Sequence, residues 1–180
     1  MKLLIASDIH GSAYYCEKLA EKYKEEKADK LILLGDLLYH GPRNDLPRDY
    51  APKKVIEILN TLKSDILAVR GNCEAEVDQM VLDFPVMADY AILFLNGRTV
   101  FMTHGHIYNN DAPPKLKKGD ILLHGHTHIQ AMEEINGYTY INPGSVSIPK
   151  NGNKNSYMTF SDNTFIIKDF DSNEIMSYKI

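Results

Sequence analysis

Lys2-Leu3-Leu4-Ile5-Ala6-Ser7-Asp8-Ile9-His10-Gly11 sets a short apolar run directly against an acid, an imidazole and a glycine. Such a run suits a buried strand that ends in a loop, and the residues that follow place Cys16, Leu19, Ala20 and Tyr23 at helical spacing. Leu31–Leu34 reads as the next strand. Pro52 fits the first turn of a helix whose inner face is Val55, Ile58, Leu59 and Leu62, and Ile66–Val69 reads as a third strand. Strands alternating with helices predict parallel strands joined by crossover helices through the first half of the chain.

Beyond Asp89 the texture changes. Ala91–Leu95, Thr99–Thr103, Ile121–Leu123, Tyr138–Ile141, Tyr157–Phe160, Thr164–Lys168 and Ile175–Tyr178 are short apolar runs, with turn signals at Asn96-Gly97, Asn136-Gly137 and Asp162-Asn163. Strands dominate this half. An α/β architecture of two mixed β-sheets packed as a sandwich with flanking helices buries all these elements in one domain over residues 1–180.

Composition narrows the classes. The 44% hydrophobic and 24% charged fractions match a globular chain, so neither disorder nor a membrane span is expected. The amino-terminal apolar run is too short for a signal peptide, which makes the cytoplasm the default location. Two cysteines, Cys16 and Cys73, are too few for a disulfide framework. A net charge of -4 offers no overall field for polyanions, so long nucleic acid is a disfavoured partner, and no membrane partner is expected. A homo-oligomer is compatible with the sequence.

Six of the seven histidines fall in three groups, His10; His104 and His106; His124, His126 and His128, and each group follows an apolar run, as do Asp8, Asp36 and Asn72. In α/β proteins ligands bind beyond the carboxyl ends of strands. A lone Asp-x-His is usually incidental. The ordered set Asp8-Ile9-His10, Gly35-Asp36, Gly71-Asn72, His104-Gly105-His106 and Gly125-His126-Thr127-His128 is hard to explain as separate accidents. Carboxylate, amide oxygen and imidazole without thiolate suit manganese, iron or zinc bound for catalysis rather than a structural zinc.

Through SDIHG, LGDLLYHGPRN, VRGNCEAEVDQM, THGH, HGHTH and INPGSVSIPKNGN the chain resembles the calcineurin-like metallophosphoesterases, within them the YfcE-type bacterial phosphodiesterases. The resemblance covers nearly the whole chain. It implies two divalent metal ions, manganese first, with iron, zinc, nickel or magnesium as alternatives. It places one ion on Asp8, His10, Asp36 and His128 and the other on Asp36, Asn72, His104 and His126, with Asp36 as the bridge. The implied reaction is hydrolysis of a small or accessible phosphodiester by a hydroxide shared between the ions.

One position departs from many relatives of the broad family: GNCE carries Cys73 where a histidine beside the leaving group is common. A thiol is a poor replacement for imidazole as a proton donor. His106 is the candidate substitute, with hydrogen bonding behind the ligands as its alternative role. His40, Arg43 and Cys73 are candidates for the substrate pocket. Arg70 reads as a structural ion pair, His124 and Cys16 as structural, and Asn142 and Ser145 as turn or rim residues. The competing functions are a phosphomonoesterase of the same fold and a metal-binding scaffold, since the retromer subunit with this fold serves mainly protein contacts.

Overall fold

The computed structural model describes residues 1–180. The elements run β1 (Leu3–Ala6), α1 (Ala13–Glu25), β2 (Lys30–Leu33), α2 (Pro52–Asn60), β3 (Ile66–Ala68), α3 (Glu76–Val81), β4 (Tyr90–Leu95), β5 (Arg98–Thr103), β6 (Ile121–Leu123), β7 (Gln130–Ile135), β8 (Tyr138–Pro143), β9 (Ser156–Ser161), β10 (Thr164–Asp169) and β11 (Glu174–Lys179). One sheet has the order β11-β10-β9-β1-β2-β3 and the other β4-β5-β6-β8-β7. Both are mixed: β1, β2 and β3 are parallel, as are β5, β6 and β8, while the remaining pairs are antiparallel.

Alternation along the strands sorts the apolar residues into layers. Leu4, Ala6, Leu31 and Leu33 face Ala13, Cys16, Leu19 and Tyr23 of α1 and Val55 and Leu59 of α2. Leu3, Ile5 and Ile32 point the other way and meet Val100, Met102, Ile121, Leu123 and Ile141 of the second sheet. Each fully buried aliphatic side chain contributes roughly 1.5–3 kcal/mol, so this interior is the main cohesive layer. The outer face of the second sheet has no helix; Tyr108 and Leu116 of the β5–β6 connection pack over Phe101, Leu122, Tyr138 and Tyr140 instead.

Local chemistry explains the boundaries. The Ser12 hydroxyl accepts from the Tyr15 N–H at 3.4 Å to cap α1, and Lys22 and Lys24 occupy its last turn, where cations suit the helix dipole. Pro52 starts α2. Asn96-Gly97, Asn136-Gly137 and Asp162-Asn163 all have both φ values positive, as tight two-residue hairpins require, and they join β4 to β5, β7 to β8 and β9 to β10. Two elements were not expected from the sequence. β7 carries Glu133 and Glu134 on an edge strand, and α3 buries none of its residues, so neither shows a strong apolar period. No helix is long and apolar enough to cross a membrane.

One carboxylate ties several elements together. Glu26, at the end of α1, accepts from Tyr157 Oη of β9 at 3.1 Å and from Lys168 Nζ of β10 at 2.7 Å, and it pairs with Lys2 ahead of β1. Burial alone would raise its pKa, but the Lys168 and Lys2 ammonium groups hold it down to about 2 against 4.5 for a free glutamate. Because the folded value is depressed, the stabilisation is present above pH 4.5 and is lost as pH falls towards about 2. Glu26→Gln is therefore expected to lower stability by ~1–3 kcal/mol at neutral pH. Urea midpoints should show the gap between parent and variant closing as pH falls through that window; a gap constant with pH would count against this role.

Candidate metal centre

The carboxyl ends of β1, β2, β3, β5 and β6 open towards one region, and the loops there bring together all seven ligand candidates. His10 Nε2 lies 3.5 Å from Asp8 Oδ1 and 3.6 Å from Asp36 Oδ2, and His128 Nε2 lies 3.2 Å from Asp8 Oδ1. The same Asp36 Oδ2 lies 3.4 Å from His104 Nε2, which is 3.2 Å from both Asn72 Oδ1 and His126 Nδ1. Asp36 thus stands between an Asp8–His10–His128 group and an Asn72–His104–His126 group.

Backbone acceptors set the imidazole tautomers. His10 Nδ1 donates to the Tyr39 carbonyl at 2.8 Å, His104 Nδ1 to Leu34 at 2.6 Å and His128 Nδ1 to Ile148 at 2.7 Å. Each Nε2 is thereby turned inward, the nitrogen that can bind a cation once it carries no proton. His10 Nε2 and His128 Nε2 are 3.2 Å apart, and two lone pairs at that distance need a cation or a proton between them. Asp8 Oδ1 is buried without a hydrogen-bond partner beside them. The donors and the orphaned carboxylate oxygen fit divalent metal ions.

Holding these groups requires unusual backbone. Asp8, His10, Asp36, His126 and His128 all have positive φ, between 50° and 65°. Each such non-glycine residue costs about 1–2 kcal/mol, so surrounding contacts must over-determine it. They do. The Asp8 carbonyl accepts from Ser145 Oγ at 2.9 Å and Ser147 Oγ at 3.1 Å. Buried Glu74 accepts from the N–H groups of Asp36, Leu37 and Gly71 at 2.8, 2.7 and 2.5 Å, locking the β2 and β3 loops to each other. Asn142 Nδ2 donates to the Gly125 carbonyl and to Thr127 Oγ1 in the loop that carries His126 and His128. A Cβ on Gly125 would lie 1.9 Å from Ser7 Oγ, and one on Gly71 would lie 2.1 Å from Asp36 Oδ1, so only glycine permits these approaches.

The remaining candidates sit around this core. Cys73 Sγ takes a hydrogen bond from Asn72 Nδ2 at 3.2 Å, and burial followed by the Asp36 charge pushes its thiol up. His106 is not among the residues lining the cleft over the centre; its ring centroid is 5.5 Å from that of His104, and its Nδ1 is buried without a partner. His40 packs edge-on against Tyr39 and Tyr50 and is outside the cleft lining. Arg70 pairs with Asp89 at 2.6 Å, and His124 stacks on Tyr140 with centroids 4.6 Å apart. A cleft of ≈ 380 Å³ opens over the centre, lined by Asp36, Asn72, His126 and His128 together with Arg43, Asn44, Thr127 and Lys150, none of them apolar. Glu74, Asn44, Ser147 and Lys150 were not singled out from sequence. Glu74 offered only its place directly after Gly71-Asn72-Cys73 as a signal.

Comparisons with known proteins bear on this arrangement. The model of the calcineurin-like phosphoesterase superfamily domain matches residues 1–164. The chain is 48% identical over 157 residues to phosphodiesterase YfcE of Escherichia coli strain K12, covering 87% of this chain and 85% of that one. The solved structure of Yfce, described as a phosphoesterase from E. coli, matches with a TM-score of 0.97 at 44% identity over 100% of both chains. Vacuolar protein sorting 29 from Cryptosporidium parvum matches with a TM-score of 0.63 at 17% identity, over 99% of this chain and 98% of that one, a likeness of fold alone.

Electrostatics of the centre yield a further expectation. Burial would depress His104, but its hydrogen bond with Asp36 and the charges of Asp8 and Asp36 raise its pKa to about 9. Metal-stripped protein at neutral pH should therefore hold a proton on His104 Nε2 that a cation must displace. Apparent metal affinity should rise with pH until about 9, and calorimetry in buffers of different ionisation enthalpy should register proton release. Binding without proton release at neutral pH would overturn this assignment.

Proposed function

Because the chain belongs to the calcineurin-like phosphoesterase superfamily, we propose that it is a phosphodiesterase whose centre holds two divalent metal ions and cleaves a small phosphodiester. One ion would be held by Asp8, His10, Asp36 and His128 and the second by Asp36, Asn72, His104 and His126, with manganese the leading choice. The observation that carries this reading is Asp36 standing between two groups of imidazoles, with the Nε2 atoms of His10 and His104 turned inward. When bound, such ions would neutralise phosphoryl oxygens and lower the pKa of water.

The chain's own residues then orient and protect. Asn72 and the imidazoles would present neutral donors once His104 has given up its proton, while Asp8 and Asp36 would supply the negative charge that retains cations. Backbone carbonyls at Tyr39, Leu34 and Ile148 keep three rings from rotating. The departing oxygen has no imidazole at position 73, and the raised pKa of Cys73 keeps that thiol protonated and a weak acid. This favours leaving groups that depart without a proton.

Chelation is expected to abolish hydrolysis of an aryl phosphodiester, and manganese to restore it, with slower turnover of the matching monoester. Asp36→Asn should cost at least about tenfold in metal affinity because it removes the charge shared by both groups. Turnover by demonstrably metal-free protein, or two full sites in Asp36→Asn, would sink the proposal. Cys73→His is expected to flatten the dependence of kcat/KM on leaving-group pKa at unchanged metal content. An equal rate change for aryl and alkyl esters would place position 73 away from the departing oxygen.

A further inference from the structure

The cleft carries two cations that the centre does not use. Of the four arginines, Arg48 lies over the Tyr14 ring at 3.5 Å, Arg70 pairs with Asp89 and Arg98 Nη1 donates to the Gly119 carbonyl at 3.1 Å. Arg43 has no hydrogen-bond or ion-pair partner and lines the cleft. Lys150 lines the same cleft and likewise has no carboxylate partner. An exposed cation in bulk solvent needs no explanation, but two of them on the walls of one cleft, with no acid besides Asp36 among its lining residues, set up a local positive field.

Both are carried on backbone tied to the ligands. The Lys150 N–H donates to the His128 carbonyl at 3.1 Å, close to the Ile148 carbonyl that fixes the His128 ring. Arg43 sits in the turn closed by Asn44, whose N–H bonds the Gly41 carbonyl and whose Nδ2 bonds the His40 carbonyl, just past the Tyr39 carbonyl that fixes His10. Each loop therefore orients a ligand and presents a cation.

On the two-ion reading above, the charge of the centre points the same way. Asp8 and Asp36 are the carboxylates of the centre, so two divalent cations and the hydroxide that hydrolysis consumes would leave it at about +1, which a singly charged phosphodiester balances. Arg43 and Lys150 are then charge in excess of what such an ester needs. We propose that Arg43 and Lys150 form an anion subsite beside the metal centre, and that the substrate carries a second anionic group, a phosphate or carboxylate on the ester substituent, that docks there. Arginine supplies a planar fork for such a group and lysine a point charge. The absence of apolar lining fits a polar, multiply charged molecule better than an apolar ester.

The test uses paired probes differing by one phosphate. In manganese-loaded protein, calorimetry should show thymidine 3′,5′-bisphosphate binding at least about tenfold more tightly than thymidine 5′-monophosphate, as one or two charge-assisted contacts imply. In the Arg43→Gln/Lys150→Gln double variant, at equal metal content, that preference should collapse to within about twofold. The 5′-p-nitrophenyl esters of the same two nucleotides should show the parallel change in kcat/KM. A preference unchanged in the double variant, or none in the parent, would overturn the subsite. If the bisphosphate preference depends on Arg43 and Lys150 but neither ester is hydrolysed, the subsite stands and the phosphodiesterase reading falls.

Discussion

Everything at the centre follows from burying two carboxylates close together. Asp8 and Asp36 are almost fully out of solvent, and like charges at short range in a low-dielectric setting repel strongly. Burial would push both pKa values up, yet His10, His128 and His104 hold Asp8 well below the usual range, and His104 and His10 hold Asp36 below it. The carboxylates demand positive charge, three imidazoles are held with Nε2 turned towards it, and five of the candidate ligand residues accept left-handed backbone to arrive there. The apolar layers on both faces of the six-stranded sheet provide the rigidity that keeps those loops from relaxing.

Glu74 shows how strain in one loop is shared with another. Its carboxylate satisfies three N–H groups from two loops at once, although burial and the nearby Asp36 charge push its pKa up to about 7. Serines on the β8–β9 connection do the same for Asp8 through its carbonyl. Ligand geometry is thus set by residues that never face the cleft.

The sequence disclosed the alternation of strands and helices because Leu3–Ala6 and Leu31–Leu33 are short apolar runs and α1 has a helical period, and it disclosed the hairpins because Asn-Gly and Asp-Asn pairs adopt positive φ readily. It concealed β7 and α3, whose residues are polar or exposed. The ligand candidates were legible through residue types that recur after strands. Their partners were not: Tyr39, Leu34 and Ile148 act through backbone carbonyls, which any side chain can accompany. Nor does spacing reveal that Lys150 shares a cleft with Arg43, because a fold must bring them together.

The position of β1 has a consequence in time. Its two neighbours are β2, made soon after it, and β9, made after every ligand candidate from Asp8 to His128. A chain emerging during synthesis can carry all seven ligands while β1 still has an open edge and the interior still lacks Met158, Phe160, Phe165 and Ile167. Domains fold as units, and contacts between distant segments come late. The loops that carry the candidate ligands thus rest on a sheet that is closed only when β9 and β10 have been added.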